Sequence, residues 1–497
     1  MSENRKNVLL IMADQWPARL MGASGHPFIQ TPTLDQLARN GVRYTNAYSE
    51  CPICIPARRT LMTGTTTRRH GDRVFGTTNP MPGDLPTLAG TFSAAGYQTH
   101  AVGKLHVYPP RDRIGFDDVQ LCEEGRPHLG SVDDYDIFLS DRGHTGRQYA
   151  HGMSNNNYMH RPWHLDEASH VTNWASEQMC RTIKRRDPTR PAFWYLSHTP
   201  PHPPLIPLGF YMELYRQLEM DEPLSGDWSK DSGRLPRALQ MVRNFYPQYS
   251  AFEIADIRRA FYALCTHIDH QLRIVFGTLR EEGLLDDTII MFTTDHGDML
   301  GDHGLLAKRT YYESSANVPM ILAGPAGDGR IGTDRVDDRL VGLQDVMPTL
   351  LTLAGIDVPP TCEGMDMTGD VRREVLYGDC LETAGGSRMV RDARHKLIWY
   401  PAGNVVQLFD LIEDPLETRD LGEVAEAADV RARLETTLVR HLWGHDLEAG
   451  WVRDGRLVGF DPGAYTAPPD RSFSGQRGIH FPEPPQAAQD KMVGFPQ

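Results

Sequence analysis

The run Val8-Leu-Leu-Ile-Met-Ala13 contains no polar residue and ends abruptly on Asp14. A strand with one wet face alternates apolar and polar residues, so an unbroken run predicts a strand covered on both faces. Thr288–Thr294 repeats the arrangement and also ends on an acid, Asp295. Thr99–Gly103, Ala192–Ser197 and Val318–Ala323 are further strand candidates, and helical patterns stand between them. Leu34–Asn40 stops at Gly41, and Pro86–Ala95 begins with proline and stops at Gly96. The longest helix spans Glu253–Glu282, with Ile254, Ile257, Phe261, Leu264, Ile268, Leu272, Val275 and Leu279 on one face and Gly283 at its end. Strands interleaved with helices predict an α/β domain whose sheet is covered on both faces.

The pattern changes near residue 370. Val375–Tyr377, Arg388–Val390, Lys396–Tyr400 and Val405–Phe409 are short strand-like runs, the last two joined by the turn Pro401-Ala-Gly-Asn404. They predict a smaller antiparallel sheet, with a helix near Val430–Leu442. The expected division is a catalytic α/β domain over 1–370, a C-terminal antiparallel-sheet subdomain over 371–449, and a tail over 450–497. Trp451, Phe460, Tyr465, Phe473 and Phe481 are unusual in a solvated linker, so the tail reads as an arm laid on another surface, and a homo-oligomer is expected. Composition narrows the function. Lys+Arg is 51 against Asp+Glu 65 in 497 residues, a net charge of −14 that argues against nucleic-acid binding through a broad basic face. No apolar run approaches the ~20 residues of a membrane span, and no signal-peptide layout follows Met1–Lys6. Seven cysteines are too few for a disulfide scaffold. A cytoplasmic enzyme acting on a small molecule is the expectation.

Asp14-Gln15 and Asp295-His296-Gly297-Asp298 follow two strands at the same relative point. Ligands of open α/β sheets bind beyond the carboxyl ends of the strands, where gathered carboxylates call for a cation. Taken singly, either Asp reads better as a turn cap, and it is the coincidence with the features that follow that reverses this. The segment Pro52-Ile-Cys54-Ile-Pro56-Ala-Arg58-Arg-Thr-Leu-Met-Thr63-Gly64 places Cys54 at a helix N-terminus, with Pro56 in the first turn and Gly64 at the end. An anion at position 54 would meet the helix dipole, with Arg58 one turn further on the same side. A buried small hydrophobe, a Cys51–Cys54 redox pair or half of a zinc site are the alternatives. No second cysteine pair has the spacing for the zinc site. Lys104 and His106, two apart on an extended segment, would face one way, as an anionic substrate and proton transfer require.

Cys54-Ile-Pro56-Ala-Arg58, followed by Leu61-Met-Thr63-Gly64, resembles the C-x-P-x-R signature of type I sulfatases of the alkaline phosphatase superfamily. Ile55 departs from it, since a small residue is usual there. Gly96-Tyr97 with Gly103-Lys104-Leu-His106 resembles the second signature of that family. His202 in His198-Thr-Pro-Pro-His202 matches its catalytic histidine loop, with His198 read as structural. Gly301-Asp-His303-Gly304 and Lys308 resemble the loop whose lysine contacts sulfate. Leu408-Phe-Asp410-Leu411, with Asp414-Pro415, resembles the marker of the family's C-terminal subdomain. The resemblance runs from about residue 6 to 425. It implies an alkaline-phosphatase-like large mixed sheet between helices, with a smaller antiparallel sheet after it.

It also implies a sulfatase mechanism. Cys54 would be oxidised to formylglycine by a maturation enzyme, and the hydrated aldehyde would attack the ester sulfur. Arg58 and a divalent metal would hold the attacking oxygen as an anion. His202, with Lys104 or Lys308, would help the alcohol leave, and His106 would deprotonate the second hydroxyl to expel sulfate. The implied metal set is Asp14, Gln15, Cys54, Asp295 and His296. The commoner sulfatase set has two adjacent Asp and then Asp-Asn; an imidazole among oxygens moves preference from Ca²⁺ towards Mn²⁺ or Zn²⁺, and Ca²⁺ or Mn²⁺ is expected. The Asp-Gln and Asp-His pairs also resemble phosphonate monoester hydrolases and choline-sulfatase-like enzymes. The former generally carry Tyr and Thr where this chain has Lys104 and His106, which favours sulfate monoesters. Asn79 stands where the phosphonate branch has a substrate-contacting Asn. It joins Lys104, His202 and Lys308 as a substrate-binding candidate and keeps phosphonate or phosphodiester cleavage as the alternative.

Overall fold

Val8–Ala13 lies within the strand β1 (Asn7–Asp14), and its side chains divide between two cores. Leu9, Ile11 and Ala13 face one hydrophobic cluster, while Val8, Leu10 and Met12 face the other. An apolar run without alternation is what such a position requires. In the computed structural model, which describes residues 5–76, 78–124, 132–153, 156–325 and 327–467, β1 sits near the middle of an eight-stranded sheet. The other strands are β2 (Gly41–Tyr48), β3 (Gln98–Gly103), β4 (Asp118–Leu121), β5 (Ala192–Pro201), β6 (Thr288–Thr294), β7 (Met320–Ala323) and β8 (Arg335–Gly342), in the order β4-β3-β5-β1-β6-β7-β2-β8. β7 alone runs against its neighbours.

The longer helices pack on the two faces. Leu34 and Leu37 of α1 (Pro32–Arg39), Trp174 and Met179 of α3 (Val171–Lys184) and Phe261, Leu264 and Ile268 of α4 (Ala251–Glu281) cover one face. Ala57, Leu61 and Met62 of α2 (Cys54–Thr63) and Leu350 and Leu351 of α5 (Val346–Leu353) cover the other. The alkaline-phosphatase-like mixed sheet between helices is as expected.

Three strands escape the sequence pattern: β2, β4 and β8. β4 and β8 are the sheet edges and β2 lies beside one of them, so their sequences carry polar residues such as Arg43, Asp118 and Asp337. The predicted strand Val318–Ala323 is shorter in fact, since Val318 already bonds to Ala47 in the turn before β7.

A second sheet is antiparallel throughout, in the order β12-β11-β10-β9, from β9 (Leu376–Cys380), β10 (Ser387–Arg391), β11 (His395–Tyr400) and β12 (Val405–Asp410). The turn at Pro401–Asn404 joins the last two. Leu434 and Leu438 of α6 (Ala428–His441) pack on Val390, Leu397, Trp399 and Leu408. Buried Lys396 of β11 pairs with Glu417 beyond β12 and with Glu313 in the segment before β7, each at 2.7 Å. Within 450–467 the aromatic residues are used inside the chain. Trp451 stacks on Phe460 with ring centroids 5.2 Å apart, and the Tyr465 ring lies 4.9 Å from the Arg237 guanidinium carbon. Phe473 and Phe481 lie outside the described residues.

His70, His170 and His198 are buried polar rings away from the strand-end acids. Burial lowers them to about 3, about 4 and about 3 respectively, and the neighbouring His170 adds to the shift at His198. The ordinary value is about 6.5, so between pH 6.5 and 4 the unfolded chain binds protons that the folded chain does not. Their contribution to stability is complete above pH 6.5 and lost as pH falls. Scanning calorimetry should therefore show Tm falling from pH 7 to 4.5, and the slope should be shallower in His198→Phe.

Candidate active site

The β1–β6 pairing sets Ala13 beside Thr294, so the residues that follow, Asp14 and Asp295, are forced together at the carboxyl ends of two central strands. Both are fully buried. Immediately beyond Asp14 the chain turns with Gln15 at φ 74°, and the Gln15 N–H donates to Asp295 Oδ1 at 3.1 Å. The His296 N–H donates to the same oxygen at 3.0 Å. These bonds fix one Asp295 oxygen and leave the other for Arg58.

Arg58 rises from α2, whose first residue is Cys54 and whose end is marked by Gly64 at φ 64°. Its Nε donates to Asp295 Oδ2 at 3.0 Å and its Nη2 to Asp14 Oδ2 at 3.2 Å. Nη1 donates to the Lys104 carbonyl at 2.8 Å, Ser197 Oγ at 2.9 Å and Tyr195 Oη at 3.2 Å. Arg58 thus holds the two carboxylates rather than presenting a free guanidinium to a ligand.

Lys104 follows Gly103, which has φ 104° and lies so close to β5 that a Cβ would meet Ser197 O at 1.9 Å. Only glycine permits that approach. Lys104 Nζ then reaches Asp14 Oδ2 at 2.6 Å and Glu124 Oε1 at 2.5 Å. Burial alone would lower its pKa, but Asp14 and Glu124 outweigh that and hold it above the ordinary lysine value. Asp14 is the converse: burial would raise it, while Lys104, His202, Arg58 and Lys308 hold it well below the carboxylate range. His106 is close in sequence but not by alternation. Its φ of 60° ends the extended geometry, its N–H is tied to Glu123 Oε1 at 2.8 Å, and its ring lies edge-on to Phe75.

Cys54 Sγ lies 3.2 Å from His296 Nε2, 2.9 Å from Lys308 Nζ and 3.8 Å from Asp14 Oδ1. Burial pushes its thiol pKa up, and Asp14 pushes it further. Lys308 also donates to Gln15 Oε1 at 2.9 Å, which brings Gln15, Cys54 and Lys308 into one group. His202 Nδ1 is 2.7 Å from the Pro203 carbonyl and 3.5 Å from Glu124 Oε1. Burial and the adjacent Lys308 lower it to about 3, and burial lowers His296 to about 4. Asn79 lies apart from these bonds: it is exposed, its N–H donates to the Gly76 carbonyl at 3.5 Å, and its own carbonyl accepts from Arg59 Nη2 at 2.9 Å.

The donor set suits a single metal ion. One ligand atom each from Asp14, Cys54, Asp295 and His296 lie within 4.8 Å of one another. His296 Nδ1 faces the Gly297 carbonyl at 3.0 Å, so Nδ1 carries the proton and Nε2 keeps its lone pair towards the cluster. Glu124, Tyr195, Ser197 and Tyr158 are site residues that the sequence reading did not single out. Glu124 had a signal, because Glu123-Glu124 closes on β4 as Asp14 closes on β1.

A mixed sheet of this order, with strand-end acids, an imidazole and the cysteine that begins a helix converging on one point, defines an alkaline-phosphatase-like hydrolase. The sequence matches the family described as Sulfatase over residues 6–356, and that described as N-sulphoglucosamine sulphohydrolase, C-terminal, over 301–442. The chain belongs to the sulfatase family. It is 32% identical to an arylsulfatase of Clostridium perfringens, over 91% of this chain and 97% of that protein. It is 30% identical to a choline-sulfatase of Rhizobium meliloti, over 85% of this chain and 83% of that protein. In fold it is similar to the phosphonate monoester hydrolase of Agrobacterium radiobacter, with a TM-score of 0.77 at 23% identity over 88% of this chain and 96% of that one.

Arg58 pairs with two buried carboxylates at once, and removing one partner of a buried pair typically costs about 3–5 kcal/mol. Arg58→Lys should recover only part of the about 3–5 kcal/mol that Arg58→Ala loses in urea unfolding, because an ammonium lacks the planar fork that meets both acids and also the Lys104 carbonyl, Ser197 and Tyr195.

Proposed function

We propose that this sulfatase-family hydrolase cleaves aryl sulfate monoesters at the Cys54 cluster, with position 54 as formylglycine and one divalent cation held by Asp14, Gln15, Asp295 and His296. The observation that carries this reading is the convergence of Cys54, Lys308, His296 and Asp14 within 3.8 Å of one sulfur. When present, the cation supplies Lewis-acid charge beside position 54, and the aldehyde supplies a group that can accept and release a sulfuryl unit. The protein's own residues do the rest. Lys308, bonded to position 54 and Gln15, stands where an ester oxygen would arrive, and Lys104 backs it from the Asp14 side. Arg58 bonds to both acids and holds them in place. His106, after the turn at Lys104, is the candidate base for the step that frees sulfate.

The state of His202 supports an aryl leaving group. Its ring is neutral at pH 7, and its Nδ1–H is given to the Pro203 carbonyl. A neutral imidazole with Nε2 unprotonated is a weak acid catalyst, which alkyl alcohols need more than phenols do. Mn²⁺ fits the mixed oxygen and imidazole donors better than Ca²⁺, since imidazole suits transition metals. A second reading, phosphonate monoester or phosphodiester hydrolysis, is favoured by the Gln15 and His296 pair and by the fold likeness above.

Peptide mass mapping of protein from a host with the maturation enzyme should place the Cys54 peptide about 18 Da below its thiol form, since SH₂ is lost and O gained. An intact thiol in fully active protein would rule the mechanism out. Measured on the same preparation, kcat/KM should be higher for an aryl sulfate than for a phenyl phosphonate ester, and the reverse order would select the second reading. Chelation should abolish turnover, with Mn²⁺ restoring it.

A further inference from the structure

Gln15 is the odd member of the cluster, an uncharged amide where a second acid would give a cation more charge. Its carboxamide is held from both ends. Nε2 donates to Tyr158 Oη at 2.8 Å and to Asp298 Oδ2 at 2.5 Å, and Oε1 accepts from Lys308 Nζ at 2.9 Å. An ammonium only donates, so the amide has one orientation: oxygen towards Lys308 and Cys54, NH₂ away from them. Asp298 divides its labour between its oxygens. Oδ1 accepts the N–H groups of Leu300 and Ala307, both at 2.9 Å, and so shapes the loop that delivers Lys308. Oδ2 is left to Gln15 and to the Tyr158 hydroxyl, which donates to it. Tyr158 and Asp298 are both fully buried, so water does not compete for these bonds.

We propose that Asp298 and Tyr158 are a positioning pair that turns the Gln15 oxygen towards the cation site, and that this pair is why a glutamine stands at the end of β1. The inference rests on the cation reading above but concerns residues behind the cluster. A carboxylate at position 15 would set its own oxygen against Asp298 Oδ2 at hydrogen-bond distance, and the donor that the amide provides there would be lost. The amide supplies the donor that Asp298 requires and the acceptor that a cation or Lys308 requires. Groups that orient metal ligands typically change affinity by about 10–100-fold when removed.

The test is isothermal titration of Mn²⁺ into protein with unconverted Cys54, which needs no turnover. Asp298→Asn keeps an oxygen for Leu300 and Ala307 but turns an NH₂ on the Gln15 NH₂, so it should weaken Mn²⁺ binding at least about tenfold while cooperative unfolding persists. In Gln15→Glu/Asp298→Asn the donor and acceptor are exchanged, and most of that loss should be recovered. Gln15→Glu alone separates charge from orientation: it should bind less tightly than the double variant. Wild-type affinity in Asp298→Asn, or a double variant no tighter than both single variants, would overturn the proposal. Either result would leave the sulfatase reading intact. Absence of sulfate ester turnover by the converted enzyme would refute that reading and leave these affinities unaffected.

Discussion

Two buried carboxylates side by side are the constraint around which this molecule is organised. The hydrogen-bond register of β1 and β6 gives Asp14 and Asp295 no choice of position, because each is the residue after a matched pair in adjacent strands. In a low-dielectric interior their repulsion would oppose closure of the sheet. Arg58 resolves this by bonding to one oxygen of each, and α2 has to lie where it does for that side chain to reach. Ser197 and Tyr195 on β5 and the Lys104 carbonyl after β3 accept its remaining hydrogen bonds, so four parts of the main sheet meet on one guanidinium.

The local charge follows from the same group. Asp14, Asp295, Glu124 and Asp298 stand around Arg58, Lys104 and Lys308, four formal negative charges against three positive ones. The histidines add none, since burial keeps His202 and His296 neutral at pH 7. A divalent cation would leave this cleft positive in a chain whose overall charge is −14. Global charge governs solubility and long-range approach, while the cleft's own groups govern what is held there.

Much of this was legible in the sequence because the central strands are covered on both faces. Full burial imposes unbroken apolar runs, so β1 and β6 and the acids that end them could be read directly. The helix at Cys54 was marked by Pro56 and Gly64, and the long helix by its apolar stripe. The peripheral strands were not legible, because β4 and β8 meet solvent and carry Asp and Arg, for which no periodicity is enforced. In the site, spacing brought Lys104 and His106 to notice for an incomplete reason: the left-handed residue at His106 breaks the alternation on which that reading relied. Arg58 was placed on the correct helix, but its partners come from strands distant in sequence, which local pattern does not encode. Glu124 and Tyr158 were missed for the same cause, each being useful only through a tertiary contact.

The burial of α2 also bears on when the conversion proposed at position 54 could take place. Every residue from Cys54 to Thr63 is buried, and Cys54 itself is 1% exposed. No enzyme could grip this stretch as a substrate once the sheet and helices have closed over it. The conversion proposed for position 54 would therefore be confined to the interval when the chain is still open, and a chain that folded first would be sealed with its thiol unconverted. The speed with which β1, β6 and α2 assemble would then set the fraction of molecules that ever become active, a quantity fixed during synthesis and beyond later correction.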